Sequence, residues 1–267
     1  MFEHLVGKLF KKSERAHAEQ FHASGKSINE KVLIDAQHRQ PLAAHWGGGT
    51  TSSSDAQFFR AGGLGEVGGL VNLHYGQDPD VKFYTHLSDQ FGPFHTKVIA
   101  ATANEAPHVP DGLLCHQSSL VINEHYTDTG GFSDHVFAMC RLLGFRFAPR
   151  IRDLKEKRLY ILPGMTVPPE LASLVADAIN LRVISDHWFE LLRLAMSIKT
   201  GTGTASVILR KLAAYPRQNG MALALRELGK LERTFFTLQW LQDTSPTLGP
   251  DQFRPLRTRA HDFAAAA

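Results

Sequence analysis

The sequence predicts an α/β protein, a mixed sheet with helices followed by a mostly α-helical region and tail. Three observations carry that expectation. Short apolar runs separated by turn chemistry recur up to Ala101. From there to Ala148, runs with helical period alternate with runs of strand length. Beyond Arg150 the apolar residues keep a helical spacing. A chain of 267 residues that is 43% hydrophobic can bury the core such a fold needs, as one large domain or a domain plus an appendage.

Residues 1–34 are polar and rich in Lys, Glu and His, with Phe2, Leu5, Leu9 and Phe10 able to line one helical face. Pro41-Leu42-Ala43-Ala44-His45-Trp46 reads as a short strand. Gly47 to Ser54 then supplies small and hydroxyl residues that let backbone approach a ligand, ending at Asp55; the plainer reading is a linker closed by an Asx turn. Gly63, Gly65 and Gly68 match G-x-G-x-x-G. A dinucleotide site also needs a preceding strand and a helix opening within the glycines. Here the strand-like Leu70–Tyr75 follows instead, so the glycines read better as a turn, with nucleotide binding as the alternative.

Val81–His86 and Thr96–Ala101 read as strands joined by turn chemistry at Ser88–Pro93, which suggests an antiparallel three-stranded meander. Asn104–Ser119 has a helical pattern that Pro107 and Pro110 confine to its latter part. A strand at Leu120-Val121-Ile122, a helix ending at Leu143 and a strand at Gly144–Ala148 complete the order β-β-β-α-β-α-β. That order is the ribonuclease H-like arrangement, in which the first and fourth strands are neighbours. Asp55 and Asp128, 73 residues apart, would then project into one site.

Asp128 stands among Thr and Gly residues, between a strand and a helix whose N-cap is Ser133 or Thr129. A lone Asp there is most often a cap, but the carboxyl end of a strand is also where α/β folds hold ligands. His125 points to the opposite face of the strand from its neighbours and suits packing, and Asp134 suits a helix start. In the helical region, Ile184, Trp188, Leu191, Leu192, Ala195 and Ile198 recur at helical spacing, as do Val207, Leu209 and Leu212, and the run from Met221 to Leu241. Such stripes read as helix cores.

Charges nearly balance, 29 basic against 26 acidic, which by itself argues for no polyanionic partner. The stretch Arg141–Arg158 is different: it carries a local net charge of +5, suited to phosphate backbones or simply to a solvated face. Two cysteines without a CxxC exclude a disulfide scaffold and a Cys-rich zinc site and fit a reducing cytoplasm. The histidines lack H-E-x-x-H spacing, no apolar run has membrane-spanning length, and the N-terminal charges do not suit a signal peptide.

Several motifs resemble the catalytic region of the large replicative transposases of the Tn-three family. They are Gly49–Asp55, Phe83–Ile99, Glu124–Gly131 and Leu142–Asp153, continued by Leu209–Tyr215 and Leu225–Gly229, within a span from about Ala36 to Leu241. The resemblance implies a DDE-type enzyme of DNA transposition, with Asp55 and Asp128 as catalytic residues and metal ligands for Mg²⁺ (or Mn²⁺). In such enzymes two ions about 4 Å apart serve an in-line phosphoryl displacement. It implies transposon-end and target DNA as partners, a homodimer or an intact transposase as a further one, and a bacterial cytoplasmic, nucleoid-associated location. Lys97, Arg146, Arg150 and Arg152 are then the candidate phosphate contacts.

One departure bears on activity. The family pattern puts its third carboxylate in a Gly-Leu-Asn-Lys-Gly-Glu segment near Thr258, where this chain reads Leu256-Arg257-Thr258-Arg259. Glu227 and Glu232 do not share a helix face and suit ion pairing, which leaves no third catalytic Glu. The expectation is a transposase fragment, with turnover impaired or reduced to DNA binding and interference with an intact enzyme. Its expected parts are a non-matching segment 1–34, a core 35–150 with both Asp, a helical insertion 151–242 and a divergent, disordered tail 243–267.

Overall fold

The computed structural model describes residues 25–60, 80–153, 157–214 and 219–242. The glycines 63, 65 and 68, the strand expected at 70–75 and the tail 243–267 lie outside them. A first helix, α1 (Gly25–His38), precedes a five-stranded mixed sheet. Its strands are β1 (Thr51–Arg60), β2 (Asp80–Ser88), β3 (Pro93–Ala100), β4 (Glu124–Thr127) and β5 (Arg146–Pro149), in the spatial order β3-β2-β1-β4-β5. β1, β2 and β3 pair antiparallel, whereas β4 runs parallel to both β1 and β5. The expected ribonuclease H-like class and the neighbouring first and fourth strands are both present.

Two strand positions differ from the sequence expectation. Residues 41–46 form turns around a short 3-10 helix at Ala43–His45, and the first strand starts only at Thr51. The expected loop before Asp55 is therefore strand, with Ser52 and Ser54 on its buried side. Their hydroxyls are satisfied by buried polar partners, so this strand lacks the alternating apolar signal that reveals most strands. Leu120 and Ile122 are buried, but the strand they suggested begins at Glu124, where the backbone reaches the edge of β1.

Helix α2 (Val109–Cys115) carries Pro110 in its first turn, where a missing N–H costs no helical hydrogen bond. It follows a 3-10 turn at Ala106–His108. Helix α3 (Asp134–Leu143) has Ser133 as N-cap and ends on Gly144, whose φ of +93° is the left-handed cap that glycine adopts without penalty. That cap delays β5 until Arg146, two residues after the strand read from sequence.

The helical region contains a small parallel pair, β6 (Leu159–Ile161) with β7 (Val175–Ala178), that carries no clear sequence signal. Four helices follow: α4 (Leu181–Asp186), α5 (Trp188–Lys199), α6 (Ala205–Ala214) and α7 (Gly220–Gln242). The stripe from Ile184 to Ile198 is thus divided at His187. Leu191, Ala195, Ile198, Leu209, Leu212, Leu225 and Leu228 are core, whereas Phe189, Met196 and Phe235 remain exposed. α7 lies across α3 closely enough that a Cβ on Gly229 would meet the Asp134 carbonyl oxygen at 1.8 Å. Arg233 of α7 pairs with Asp134 at 2.8 Å, so the expected helix-start Asp also ties the helical region to the sheet domain.

Candidate metal centre

The β1–β4 register decides the geometry of the site. Ser54 stands opposite Thr127, the last residue of β4. Asp55 continues β1 and Asp128 follows the end of β4, so the chain delivers both carboxylates to the point where β4 stops beside the middle of β1. The Asp55 carboxylate accepts from the Ala56 backbone N–H at 2.7 Å. Asp128 is exposed and N-caps a 3-10 turn at Thr129–Gly131, accepting from the Gly130 N–H at 2.9 Å. Gly131 must be glycine for this turn to fold back, since a Cβ there would come 2.3 Å from the Thr127 hydroxyl oxygen. Asp128 is therefore both the cap and a candidate ligand.

A third carboxylate joins them that the sequence reading missed. Glu105 follows β3 and opens the turn at Ala106–His108, which packs against the turn beginning at Thr129. One ligand oxygen each from Asp55, Glu105 and Asp128 lies within 4.8 Å of the other two. No periodicity links Glu105 to either Asp, and in the sequence it falls within the helical pattern from Asn104. A Glu just after a meander hairpin is the only local hint. The donors are all carboxylate oxygens, which suits a hard cation such as Mg²⁺ or Mn²⁺.

Lys82 borders the cluster from β2. Its side chain is buried, its ammonium donates to the Ala103 carbonyl at 3.0 Å and to Glu105 Oε1 at 2.8 Å, and it lies 4.8 Å from the Phe58 ring centroid. Tyr84, fully buried nearby, keeps its proton. Burial raises its pKa first, against the hydrogen bond with Ser54, and the negative charges of Glu105, Asp128 and Asp55 add to the rise.

Behind the acidic end lies a layer of buried polar residues. His125 sits between Ser52 Oγ at 2.7 Å and Ser54 Oγ at 2.8 Å, and Ser54 also meets the Tyr84 hydroxyl at 2.6 Å. The His86 ring stacks on His125 with centroids 5.2 Å apart. Burial depresses the pKa of His125 to about 3 and of His95 to about 4, and lowers that of His86 well below its ordinary value. These rings are neutral packing groups, as the strand geometry suggested for His125.

The basic residues separate. Arg150 is exposed, and its backbone N–H donates to the Thr127 carbonyl at 2.8 Å, which puts it beside the acidic end. Arg146 pairs with Glu124 at 3.3 Å, at the opposite end of β4 and β5. Arg152 pairs with Asp153 at 3.2 Å, and Lys97 is engaged with Asp111 at 2.8 Å and near Ser206 Oγ at 3.3 Å. Glu227 is buried, accepts from the Asn180 N–H and pairs with Lys230, while Glu232 pairs with Arg141. Both are ion-pairing residues.

A five-stranded mixed sheet of this order, with carboxylates gathered where β1 and β4 adjoin, defines a DDE-type domain of the ribonuclease H-like class. The chain belongs to the Tn3 transposase DDE domain family, whose profile matches residues 12–246. That range includes parts of both the 1–34 and 243–267 segments. The transposase for transposon Tn501 of Pseudomonas aeruginosa is 58% identical over 210 residues, 79% of this chain and 21% of the relative. The transposase for transposon Tn21 of Escherichia coli is 56% identical over 210 residues, with the same coverage of each. The transposase for transposon gamma-delta of Escherichia coli strain K12 is 32% identical over 211 residues, again 79% of this chain and 21% of the relative. The chain thus spans about one fifth of the length of these curated relatives. Among the described residues, no helix is long and apolar enough to cross a membrane.

Proposed function

We propose that this chain carries the metal-binding part of a phosphoryl-transfer centre that acts on transposon-end DNA. The observation that supports it most directly is the adjacency of Asp55, midway along β1, and Asp128, just past the end of β4, in a chain of this family. Bound divalent cations supply Lewis-acid activation of the attacking hydroxyl and stabilisation of the leaving oxygen. The chain's own residues do the rest. Asp55 and Asp128 furnish the oxygen ligands, the Gly130 N–H orients the Asp128 carboxylate, and Arg150 holds a phosphate of the strand approaching from the β5 side. Arg152, two residues further on, extends that phosphate track, whereas Arg146, at the far end of β4 and β5 on Glu124, and Lys97, neutralised by Asp111, contribute less. The core with both Asp spans 35–150 and the helical insertion 151–242.

With Leu256-Arg257-Thr258-Arg259 where the family pattern has its third Glu, turnover by this chain alone is impaired, and its surviving properties are metal and DNA binding, with target DNA, a homodimer or an intact transposase as partners in a bacterial cytoplasm. The test is to incubate the purified chain with DNA bearing transposon ends and Mg²⁺ or Mn²⁺, and to measure binding and nicking. Expected is salt-sensitive DNA binding with weak nicking that Asp55→Asn and Asp128→Asn abolish. Nicking unchanged in both variants overturns the proposal, and strong wild-type nicking overturns the impairment.

A further inference from the structure

Glu105 and Lys82 belong to no sequence motif, yet they meet at the candidate metal centre. Glu105 has one oxygen, Oε1, on the buried Lys82 ammonium. Its other oxygen, Oε2, faces the Asp128 loop: a Cβ built on Gly130 would lie 3.3 Å from Glu105 Oε2 and 3.1 Å from Asp128 Oδ1. Both oxygens thus border the same small space beside Gly130. Lys82 in turn is held by the Ala103 carbonyl and the Phe58 ring, so it cannot swing freely with the carboxylate.

We propose that Glu105 is a third ligand to the divalent cation held by Asp55 and Asp128, and that Lys82 is the positioning residue that fixes its carboxylate. The inference rests on the metal-binding reading above. Two features set this division of labour. A carboxylate accepts on both oxygens, so a fixed ammonium on Oε1 leaves Oε2 for the ion. With three carboxylates and one lysine in place, the cluster still carries excess negative charge that a divalent cation offsets. Metal ligands oriented by such outer partners commonly lose about 10- to 100-fold in affinity when the partner is removed.

The sign of the Lys82 effect separates positioning from charge. Removing a cation beside a metal site strengthens metal binding if Lys82 acts only through its charge, and weakens it if Lys82 orients Glu105. The experiment is a Mn²⁺ titration of the full chain, following the electron paramagnetic resonance signal of the free ion, with circular dichroism melts confirming the fold of each variant. We expect Glu105→Gln to weaken Mn²⁺ binding at least about tenfold and Lys82→Met to weaken it about tenfold. Lys82→Met added to Glu105→Gln should have no further effect, whereas a general loosening of the site would add to it. Binding unchanged in Glu105→Gln but weakened in Asp128→Asn overturns the Glu105 role alone. Tighter binding in Lys82→Met, or an added loss in the double variant, overturns the Lys82 role. No Mn²⁺ binding by the wild-type chain overturns this inference together with the reading on which it rests.

Discussion

Asp111 and Asp128 both stand in the first turn or at the cap of a short helical segment, and the fold treats them in opposite ways. Asp111 is buried at the start of α2, where Oδ2 accepts from Lys97 at 2.8 Å and Oδ1 from the Ser206 backbone N–H at 3.0 Å, with His108 3.7 Å away. Burial pushes its pKa up, but the His108, Lys97 and Ser206 partners outweigh that and hold it well below the ordinary carboxylate range. Asp128 is exposed, is oriented by the Gly130 N–H, and faces two more carboxylates across a few ångströms. A buried carboxylate surrounded by donors is a structural tie; one gathered with other acids at an open strand end is a place for a cation. The histidine layer sides with Asp111, since its members are buried and neutral.

Acid should break the buried side of this comparison first. Histidines whose folded pKa is depressed give their full stability above about 6.5 and lose it as pH falls towards their folded values. The unfolded chain takes up protons there that the folded chain refuses. With His95 at about 4 and His125 at about 3, urea melts should lose on the order of 3 kcal/mol or more between pH 6.5 and pH 4. A flat profile across that window would contradict the neutral buried layer.

Single substitutions follow in decreasing size. His125→Ala leaves a cavity and strands the Ser52 and Ser54 hydroxyls, so chemical denaturation should show a loss of about 3 kcal/mol. Asp111→Asn should cost about 2 kcal/mol, discounted because Lys97 is partly exposed, and should leave Mn²⁺ binding intact. Asp128→Asn keeps the Gly130 hydrogen bond, so stability should move by less than about 0.5 kcal/mol while Mn²⁺ binding is lost. Arg150→Gln should leave both unchanged and lower the salt dependence of DNA binding by about one unit of slope; an unaltered slope would remove Arg150 from the phosphate track. The opposite responses of Asp111→Asn and Asp128→Asn sharpen the comparison most.

Much of this arrangement was legible in the sequence, for reasons that differ by element. The helices α3, α6 and α7 announce themselves because one face of each is apolar and the period survives without tertiary help. The β2–β3 hairpin shows through its turn residues at Ser88–Pro93. β1 was misplaced because its buried residues are serines whose partners, His125 and Tyr84, come from β4 and β2. A polar core strand has no hydrophobic signature, and only the assembled sheet explains it. The ion pair of Lys97 with Asp111 was not legible, because Asp111 comes after a turn and at a helix start, out of reach of any local pattern.

The sequence by itself determined the two aspartates, the family whose motifs surround them and the mixed sheet that makes them neighbours. Those are properties of local chemistry and element order, which a linear reading preserves. The tertiary structure alone decided that Glu105 completes an acidic cluster, that Lys82 fastens it, and that Asp111 is a tie while Asp128 is open. The reason is physical. A carboxylate's role depends on which charges and donors lie within a few ångströms of it, and in this fold those partners arrive from distant strands and turns.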